Sequence, residues 1–500
     1  MTLPDLQTRN DTLERELAWA KLKIQSLEEA MRKMRIHFYG PKSETLSSLQ
    51  LELLEEEPGV TGEEVEAEAA REPLPPPLST KTTREGKAHP GRKPLPENLP
   101  RVEQVLCADA NCKSCGTETS LIGYDESEVL DMEPARWLVR VTKREKRACG
   151  KCASIAMPEL EPRIVEKGLA SDAVVVQTVV AKYCDHLPLY RQQAILERES
   201  GVELSRATLD GWVMRVGEVL GPIIAAMRRD LLSASYLQAD ETTVPVQMHD
   251  KRGENHQAYL WQYGKPDGET VFEFQLGRGR EGPKKFLGHW EGILQTDGYQ
   301  AYDTIGGDKL VHVGCWAHAR RKFVDAVKVN PEDAAGLAMV TRMDALFLVD
   351  RHAREQQLSA EERLVLRREH ADCWAAEIHG ECKKLRQSVL PKSALGQAVA
   401  YTLNMWPKLR RCFDYAEVEL SNNLAENSMR PIALGRKNWL HVGSAQSGPK
   451  VAAILSVVES CRRLGVPVKE YLAAVLPGLS RKKLSEAADL TPARWAASRA

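Results

Sequence analysis

Three acidic residues stand where their carboxylates could converge. Asp240 ends the apolar run YLQAD, Asp297 ends the run GILQTD, and Glu426 follows Asn422-Asn423 on a segment of helical character. Ligand chemistry in α/β sheets gathers at strand ends. Two Asp and one Glu supply the hard oxygen ligands that suit Mg²⁺ or Mn²⁺, with two ions about 3.5–4 Å apart per site for phosphoryl transfer. We take these three as candidate catalytic and metal-binding residues, although spacing alone is a weak signal among 70 acidic residues.

Neighbouring carboxylates compete for these roles. Glu241 directly follows Asp240, and on a strand it is expected to point to the opposite face. Asp303 comes one short helix after Asp297 and is expected in solvent. Glu459 lies in the apolar helical run AAILSVVESC, where a buried or capping role is expected.

Four cysteines in two pairs indicate a second kind of chemistry. Cys112-x-x-Cys115 and Cys149-x-x-Cys152 are separated by 33 residues. Each pair can present two thiolates about 2.3 Å from one zinc ion. The intervening SEVLDMEPARWLVRVTKREKRA has β-strand alternation, so the pattern predicts a zinc ribbon with one structural zinc. Four reduced, buried thiols are the alternative, and Cys107 is a spare.

Basic and aromatic residues near these sites are candidates for contact with DNA. Lys and Arg neutralise phosphates, and a Trp ring can stack on a base. Trp439 is either such a ring or a core residue, and Cys315-x-x-His318 is a structural, DNA-positioning or metal-binding pair. The predicted DNA-binding residues are Lys143, Arg144, Lys146, Arg147, Arg320, Arg321, Arg430, Arg436 and Lys437.

The elements that must position the acids change in character along the chain. From residue 235 the pattern predicts the strands YLQAD, TTVPVQM, QAYLWQYG and TVFEFQL, then the helix GPKKFLGHW. The strands GILQTD and LVHVG and the helix CWAHARRKFVDAVKV follow. Residues 325–415 are rich in Ala, Leu, Arg and Glu at helical spacing, which predicts a helical insertion before Glu426.

Residues 166–228 are predicted to form a helical domain. LPLYRQQAILERES and LSRATLDGWVMRVGEVL read as two helices joined at Gly201, with Ser205 as the N-cap of the second. This spacing fits a helix-turn-helix, whose second helix enters the major groove of DNA. A plain helical hairpin fits it equally well.

The N-terminal segment has a heptad pattern. Apolar residues recur every seven positions from Leu3 to Phe38, with the polar Asn10 in the same set. The pattern predicts a dimerising coiled coil over residues 1–50, and an amphipathic helix packed on its own chain is the alternative. Residues 51–100, acidic at first, then basic and rich in Pro, predict a disordered linker.

Composition excludes several classes of protein. Lys and Arg number 69 against 70 Asp and Glu, and a formal charge of -1 argues against a uniformly basic nucleic-acid binder but allows local basic surfaces. The chain has no apolar run long enough for a membrane span, and its N-terminus has no secretory signal pattern. Eleven cysteines are too few for a disulfide scaffold, so we expect a cytoplasmic protein.

Several ordered motifs together resemble one protein family. LQADETTVPV, LQTDGYQAY, HVGCWAHARRKF and NNLAENSMRPIALGRKNWLHVGS are similar to segments of the bacterial transposases of insertion-sequence family sixty-six. The similarity extends over nearly the whole chain, including RIHFYGPKSE, GRKPLPENLPR and SVVESCRRLGVPVKEYLAAVLPGL. The acidic residue that usually precedes the Asn pair in this family is Ser421 here, a departure that leaves the three acids intact.

The resemblance implies a multidomain protein of α+β and α/β character. It implies a ribonuclease-H-like catalytic core, interrupted by a helical insertion, with Asp240, Asp297 and Glu426 as its acidic triad. The expected domains are a zipper helix at 1–50, the linker at 51–100, a zinc ribbon at 101–165, the helical region at 166–228, core segments at 229–324 and 416–475, the insertion at 325–415 and a tail at 476–500.

The resemblance also implies a function. A DNA transposase of this kind would use Mg²⁺ to cleave transposon ends and would transfer the 3′-hydroxyl strand into target DNA. Its expected partners are the terminal inverted repeats, target DNA, a second subunit and accessory proteins, at the nucleoid of the bacterial cytoplasm. A catalytically inactive DNA-binding derivative and a metal-dependent nuclease without strand transfer are the alternatives.

Overall fold

The computed structural model describes Arg9, Leu17 and residues 137–145, 147–148, 155–156, 158–248, 254–303 and 305–499. Several predicted features lie outside the described residues. These are the linker, the zinc ligands, Lys146, and the coiled coil apart from Arg9 and Leu17. The chain divides into two compact units. The smaller is Pro73–Pro158, and the larger contains all described residues from Glu159 onward.

A short hairpin is described in the smaller unit. Strand β1 (Arg147–Ala148) pairs antiparallel with β2 (Ile155–Ala156), with Arg147 opposite Ala156. The guanidinium of Arg144 donates a hydrogen bond to the carbonyl of Pro158 at 3.3 Å. In the sequence, the predicted pair Cys149-x-x-Cys152 falls between these two strands.

The larger unit begins with helices. The helix pair predicted around Gly201 is confirmed, because Gly201 ends the first helix with a left-handed φ of 68° and Ser205 caps the second. The Ser205 hydroxyl accepts a hydrogen bond from the Thr208 amide at 3.1 Å. The choice between a DNA-binding motif and a plain hairpin stays open. The helices are α1 (Asp172–Tyr183), α2 (Leu189–Ser200), α3 (Arg206–Val219) and α4 (Gly221–Leu232).

A five-stranded mixed sheet follows, in the order β5-β4-β3-β6-β7. β3 pairs antiparallel with β4, and β4 with β5, whereas β6 is parallel to both β3 and β7. All four residues of β6 are buried, as expected for a central parallel strand covered on both faces. The strands are β3 (Tyr236–Gln247), β4 (Asn255–Gly264), β5 (Thr270–Gln275), β6 (Ile293–Thr296) and β7 (Val311–Gly314).

One strand prediction is wrong. YLQAD and TTVPVQM form the single strand β3, so Asp240 lies within a strand and does not end one. The continuation has a physical cause: every residue from Gln238 to Gln247 has a partner on β4, so the antiparallel ladder carries the chain past the aspartate. The parallel partner β6 does end there, and its last paired residue opposite β3 is Gln295.

Helices surround the sheet, and no helix in the described part of the chain is both long and apolar enough to cross a membrane. Arg367–Ala371 forms a π-helical turn between two of them. The remaining helices are α5 (Glu281–Leu287), α6 (Trp316–Val329), α7 (Ala334–Glu355), α8 (Ala360–Leu366), α9 (Asp372–Ser388), α10 (Ala394–Leu409), α11 (Asn423–Trp439), α12 (Gly448–Arg463), α13 (Val468–Val475), α14 (Leu484–Ala488) and α15 (Pro492–Ala497).

Two hydrophobic cores lie on opposite faces of the sheet, because successive strand residues point to opposite sides. Leu237 and Leu294 belong to the first core, which also takes buried residues from α1, α3, α4, α12, α13 and α14. Tyr236 and Ile293 belong to the second core, which takes buried residues from α6, α7, α9 and α10. The helices that precede the sheet therefore share one core with it.

Candidate active site

The two aspartates lie at the same edge of the sheet. The parallel pairing of β3 and β6 ends with Gln238 opposite Gln295. Asp240 and Asp297 each lie two residues beyond these partners, and Asp297 directly follows the end of β6. The carboxyl ends of parallel strands are where α/β sheets bind ligands. The register thus places both carboxylates at a position suited to chemistry.

Each aspartate is held locally by a backbone amide. Oδ1 of Asp240 accepts a hydrogen bond from the amide of Glu241 at 2.8 Å, and Oδ1 of Asp297 accepts one from the amide of Tyr299 at 2.8 Å. These bonds satisfy one oxygen of each carboxylate and restrict its rotation.

The third acid comes from a helix that packs against strand β3. Glu426 lies in the first turn of α11, which packs against β3. Two residues of α6 approach its carboxylate: Arg321 donates to Oε2 at 3.0 Å, and Nδ1 of His318 is 3.4 Å from Oε1. Burial alone would raise the pKa of Glu426, but His318, Arg321 and Arg430 lower it below its ordinary value. Glu426 is therefore held as a carboxylate.

A buried polar network under the site fixes the chain that leads into α11. The Tyr236 hydroxyl donates to Oε1 of Gln295 at 2.5 Å, and the amide group of Gln295 donates to the carbonyl of Glu419 at 2.7 Å. The amide group of Gln238 donates to the carbonyl of Ser421 at 3.0 Å. Strands β3 and β6 thus set the path of the segment just before Glu426.

The three acids form one electrostatic unit. The pKa of Asp240 is raised well above its ordinary value, first by burial and then by the negative charges of Glu426, Glu241 and Asp297. Like charges disfavour each other's ionised form when they are close. The repulsion at Asp240 is the expected mark of carboxylates gathered to hold a cation.

The residues fit a divalent metal by donor type and charge. Oε1 of Glu426 and both polar atoms of the Asn422 side chain are buried without a hydrogen-bond partner. Carboxylate and amide oxygens are ligands that Mg²⁺ and Mn²⁺ prefer. Within residues 158–248, 254–303 and 305–499, no three His, Cys, Asp or Glu side chains already stand together as a ready metal site. By the type of their donor atoms, Asp240, Asp297, Glu426 and Asn422 fit a divalent metal.

The competing carboxylates near the triad have partners of their own. Glu241 accepts from Nε and Nη2 of Arg278 at 3.0 and 2.7 Å and from the Tyr302 hydroxyl at 3.1 Å. Asp303 was expected in solvent, and it is partly exposed but pairs with Nζ of Lys408 at 2.5 Å. These contacts favour structural roles for both acids.

Glu459 is buried in α12, as predicted, with 3% of its surface exposed. Its carboxylate lies 2.6 Å from Nη2 of Arg462, one turn along the same helix. Burial raises the pKa of Glu459 to about 8. It belongs to the helix core and is not part of the electrostatic unit around Asp240.

The residues of uncertain role lie in different surroundings. Cys315 is buried at the start of α6, where its sulfur accepts from the Asn422 amide at 3.4 Å, and burial raises the pKa of its thiol to about 12. His318 faces Glu426. Trp439 packs partly buried against the first core, with Nζ of Lys182 5.8 Å from its ring centre. Cys315 and His318 therefore lie at the acidic site.

The predicted DNA-binding residues divide by exposure. Lys143, Arg144 and Lys437 are exposed. Arg436 donates to the Thr243 carbonyl at 2.7 Å, and Arg430 donates to Oδ1 of Asn427 at 2.9 Å. Arg147 lies in β1, and Arg321 binds Glu426.

Arg320 departs from the DNA-binding prediction. It is buried, with 6% of its surface exposed, and its guanidinium bonds the carboxylate of Asp344. This side chain joins α6 to α7 and offers no exposed charge to a phosphate.

Sequence reasoning missed two further residues at this edge. The Arg278 guanidinium lies 4.0 Å from the ring centre of Tyr299, close to the acids, and the Tyr401 hydroxyl donates to the Asp297 carbonyl at 2.6 Å. Arg278 stands in the basic run GRGR, which is a usable signal. Tyr401 is 104 residues away from its partner in the chain and carries no local signal.

Known protein families match the chain in three successive segments. Residues 167–450 match the family described as Transposase IS66 family, and residues 109–153 match the zinc-finger binding domain of transposase IS66. Residues 26–103 match a family described as Transposase C of IS166 homeodomain. The first match contains all three acids of the candidate site.

Curated relatives match over most of their length. The uncharacterized protein y4hP of Sinorhizobium fredii (strain NBRC 101917 / NGR234) is 30% identical, over 94% of this chain and 89% of its own. The uncharacterized protein y4jD of the same organism is 31% identical, over 81% of this chain and 82% of its own. Together with the match over residues 167–450, these findings show that the chain belongs to the Transposase IS66 family.

Proposed function

We propose that this protein is a DNA transposase that cleaves transposon ends and joins the freed 3′-hydroxyl strand to target DNA. The observation that carries the proposal is the placement of Asp240, Asp297 and Glu426, which come from three elements of a chain that belongs to a transposase family. Burial first, and then the charges of the neighbouring acids, raise the pKa of Asp240 at the carboxyl end of the parallel strands.

The fold proposal is a ribonuclease-H-like core with a helical insertion at residues 325–415. Three consecutive antiparallel strands followed by two parallel ones, in the order β5-β4-β3-β6-β7, support such a core. Helices α7 to α10 lie between β7 and the helix that carries Glu426, and α7, α9 and α10 build the second core together with α6. Both facts support treating the segment as an insertion in the catalytic domain.

Asp240, Asp297 and Glu426 would hold the Mg²⁺ or Mn²⁺ ions, proposed as two per site. Such ions, when bound, activate a water or a 3′-hydroxyl and stabilise the leaving oxygen. Arg321 orients the Glu426 carboxylate through its hydrogen bond, and the surrounding His318, Arg321 and Arg430 lower the pKa of Glu426 and favour its ionised form. The amide of Tyr299 orients Asp297. These contacts restrict the side chains of Glu426 and Asp297 before DNA arrives.

Recognition of DNA and assembly are assigned to the other segments. The match of residues 109–153 to a zinc-finger domain supports one structural zinc at Cys112, Cys115, Cys149 and Cys152. The exposed Lys143 and Arg144, which precede Cys149 in the sequence, are proposed to contact transposon ends, as is the helix pair α2–α3. The N-terminal zipper is proposed to pair two subunits, and accessory proteins and a place at the bacterial nucleoid complete the proposal.

The test is cleavage and joining of DNA that carries the element's own terminal repeats, with Mg²⁺. Asp240→Asn, Asp297→Asn and Glu426→Gln should each abolish cleavage while end binding persists, since a metal site acts as a unit. Asp308→Asn is the matched control, because Asp308 is an exposed aspartate outside the contacts described for the site, and its loss should leave cleavage intact. Near-normal cleavage by one of the three variants would remove that residue from the triad.

The same assay separates the alternatives. Cleaved but unjoined products would identify a metal-dependent nuclease. End binding by the wild-type protein without cleavage would identify an inactive DNA-binding derivative. The three carboxylates, all present, favour the active enzyme over the second outcome.

A further inference from the structure

A hydrogen bond links the helical segment directly to the second aspartate. Tyr401 lies on α10, and its hydroxyl donates to the backbone carbonyl of Asp297 at 2.6 Å. This carbonyl belongs to Asp297, the residue whose side chain is proposed to bind metal. The peptide plane after Asp297 therefore has a fixed partner from outside the sheet.

The same face of α10 makes two more contacts with this turn. Met405, one helical turn after Tyr401, lies where a side chain at Gly298 would stand: a Cβ there would come within 2.5 Å of the Met405 methyl carbon. Lys408 pairs with Asp303 at 2.5 Å. Residues 401, 405 and 408 form one stripe of the helix, so α10 packs along the whole turn that follows β6.

The hydroxyl of Tyr401 stands among the groups of the candidate site. Its pKa is raised well above the ordinary value, by burial first and then by the nearby Cys315, Asp297 and Glu426, while Arg321 opposes the shift.

We infer that Tyr401 is a positioning residue for Asp297, supplied by the helical segment to the catalytic site. By holding the carbonyl of Asp297, the hydroxyl sets the orientation of the following peptide and, through it, the direction of the Asp297 carboxylate. The inference rests on the proposed function, because it assigns Asp297 a metal. If Tyr401 has this role, helix α10 (Ala394–Leu409) forms part of the active site.

The test is Tyr401→Phe in the full-length protein, which removes only the hydroxyl oxygen. Tyr471→Phe is a matched control, because the Tyr471 hydroxyl also donates to a backbone carbonyl, that of Leu490, at the same 2.6 Å. The Tyr471 contact lies in the first core, on α13. Removing second partners of metal ligands typically lowers metal affinity or activity by roughly 10–100-fold.

Two readouts decide the outcome. Calorimetric titration with Mn²⁺ alone, without DNA, should show affinity lowered by about tenfold or more for Tyr401→Phe and unchanged for Tyr471→Phe. Cleavage should show a lower kcat with an unchanged KM for the DNA ends. Wild-type Mn²⁺ affinity and kcat in Tyr401→Phe would overturn the inference. The inference would also be overturned if Tyr401→Phe fails to fold while Tyr471→Phe folds normally, because the contact would then be purely structural.

Asp297→Asn separates this inference from the proposed function. If Asp297→Asn still cleaves, the triad itself is wrong. If Asp297→Asn is inactive while Tyr401→Phe binds Mn²⁺ and cleaves normally, only the positioning role fails.

Discussion

Gly298, the residue after Asp297, offers a quantitative test of how tightly the turn at the candidate site is built. Its φ is +94°, a conformation that residues with a side chain rarely adopt. A Cβ at this position would also come 2.5 Å from the methyl carbon and 2.6 Å from the sulfur of Met405. Gly298→Ala therefore meets backbone strain and steric overlap together.

The two costs can be separated with other glycines of the same chain. Gly288 has a φ of +56° and open space around it, so Gly288→Ala carries the strain alone, about 1–3 kcal/mol. Gly279 has neither a positive φ nor a neighbour, so Gly279→Ala should not destabilise the fold. The overlapped atoms are the flexible end of the Met405 side chain, so the overlap adds about 1 kcal/mol, the low end of the cost of overpacking. Gly298→Ala should thus lower the unfolding free energy by about 2–4 kcal/mol in total.

Urea denaturation followed by tryptophan fluorescence measures the three variants side by side. The expected order of urea midpoints is Gly279→Ala close to wild type, Gly288→Ala lower, and Gly298→Ala lowest. Metal-dependent cleavage by folded Gly298→Ala should also fall, because the strained turn carries Asp297. A midpoint of Gly298→Ala equal to that of Gly288→Ala would show that Met405 yields freely, and would refute the tight packing of α10 on this turn.

Four further predictions test other parts of the molecule. Arg367→Met removes a fully buried partner of Asp350 and should lower the unfolding free energy by about 3–5 kcal/mol in urea denaturation. Burial raises the pKa of Glu459 from 4.5 to about 8. The protonated side chain therefore contributes stability that is fully present below pH 4.5 and is lost as the pH rises to about 8. Glu459→Gln should flatten the dependence of the urea midpoint on pH. A Cys112/Cys115 double variant should lose about one zinc per chain by metal analysis and become protease-sensitive over residues 101–160; zinc-free wild-type protein would defeat this. Deleting residues 1–45 should weaken dimerisation in light scattering, and paired-end complexes in gel shifts, more than binding to a single end; a truncated protein that still dimerises fully would place the interface elsewhere.

Local patterns predicted the elements around the site well. The helix pair at Gly201, the Ser205 cap and the burial of Glu459 all depend on neighbours in the sequence, and the structure confirms them. The prediction for the strand that contains Asp240 was wrong at the strand's end, because whether a strand continues depends on its partner, and the partner β4 comes later in the chain. Pairing across a sheet is not visible in a single short run of residues.

The contacts that complete the candidate site could not be predicted from the sequence for the same reason. His318 and Arg321 meet Glu426 across more than a hundred residues of chain, and Tyr401 meets Asp297 across 104. The basic run that contains Arg321 predicted a phosphate contact, but the nearest charge is a carboxylate of the site itself. Residue type indicated the charge of Arg321, and only the fold could reveal its partner.

The shared first core has a consequence for how the chain reaches its native state. Buried residues of this core run from Ile164, before α1, to Ala487 in α14. A nascent chain that emerges from the ribosome with α1 and α3 first lacks α12 and α13, which complete the cover of their buried faces. Contacts of such long sequence separation slow folding and leave apolar faces exposed to aggregation meanwhile. A fragment cut between α4 and β3 would expose the same faces, so residues 166–228 should be expressed together with everything that follows them.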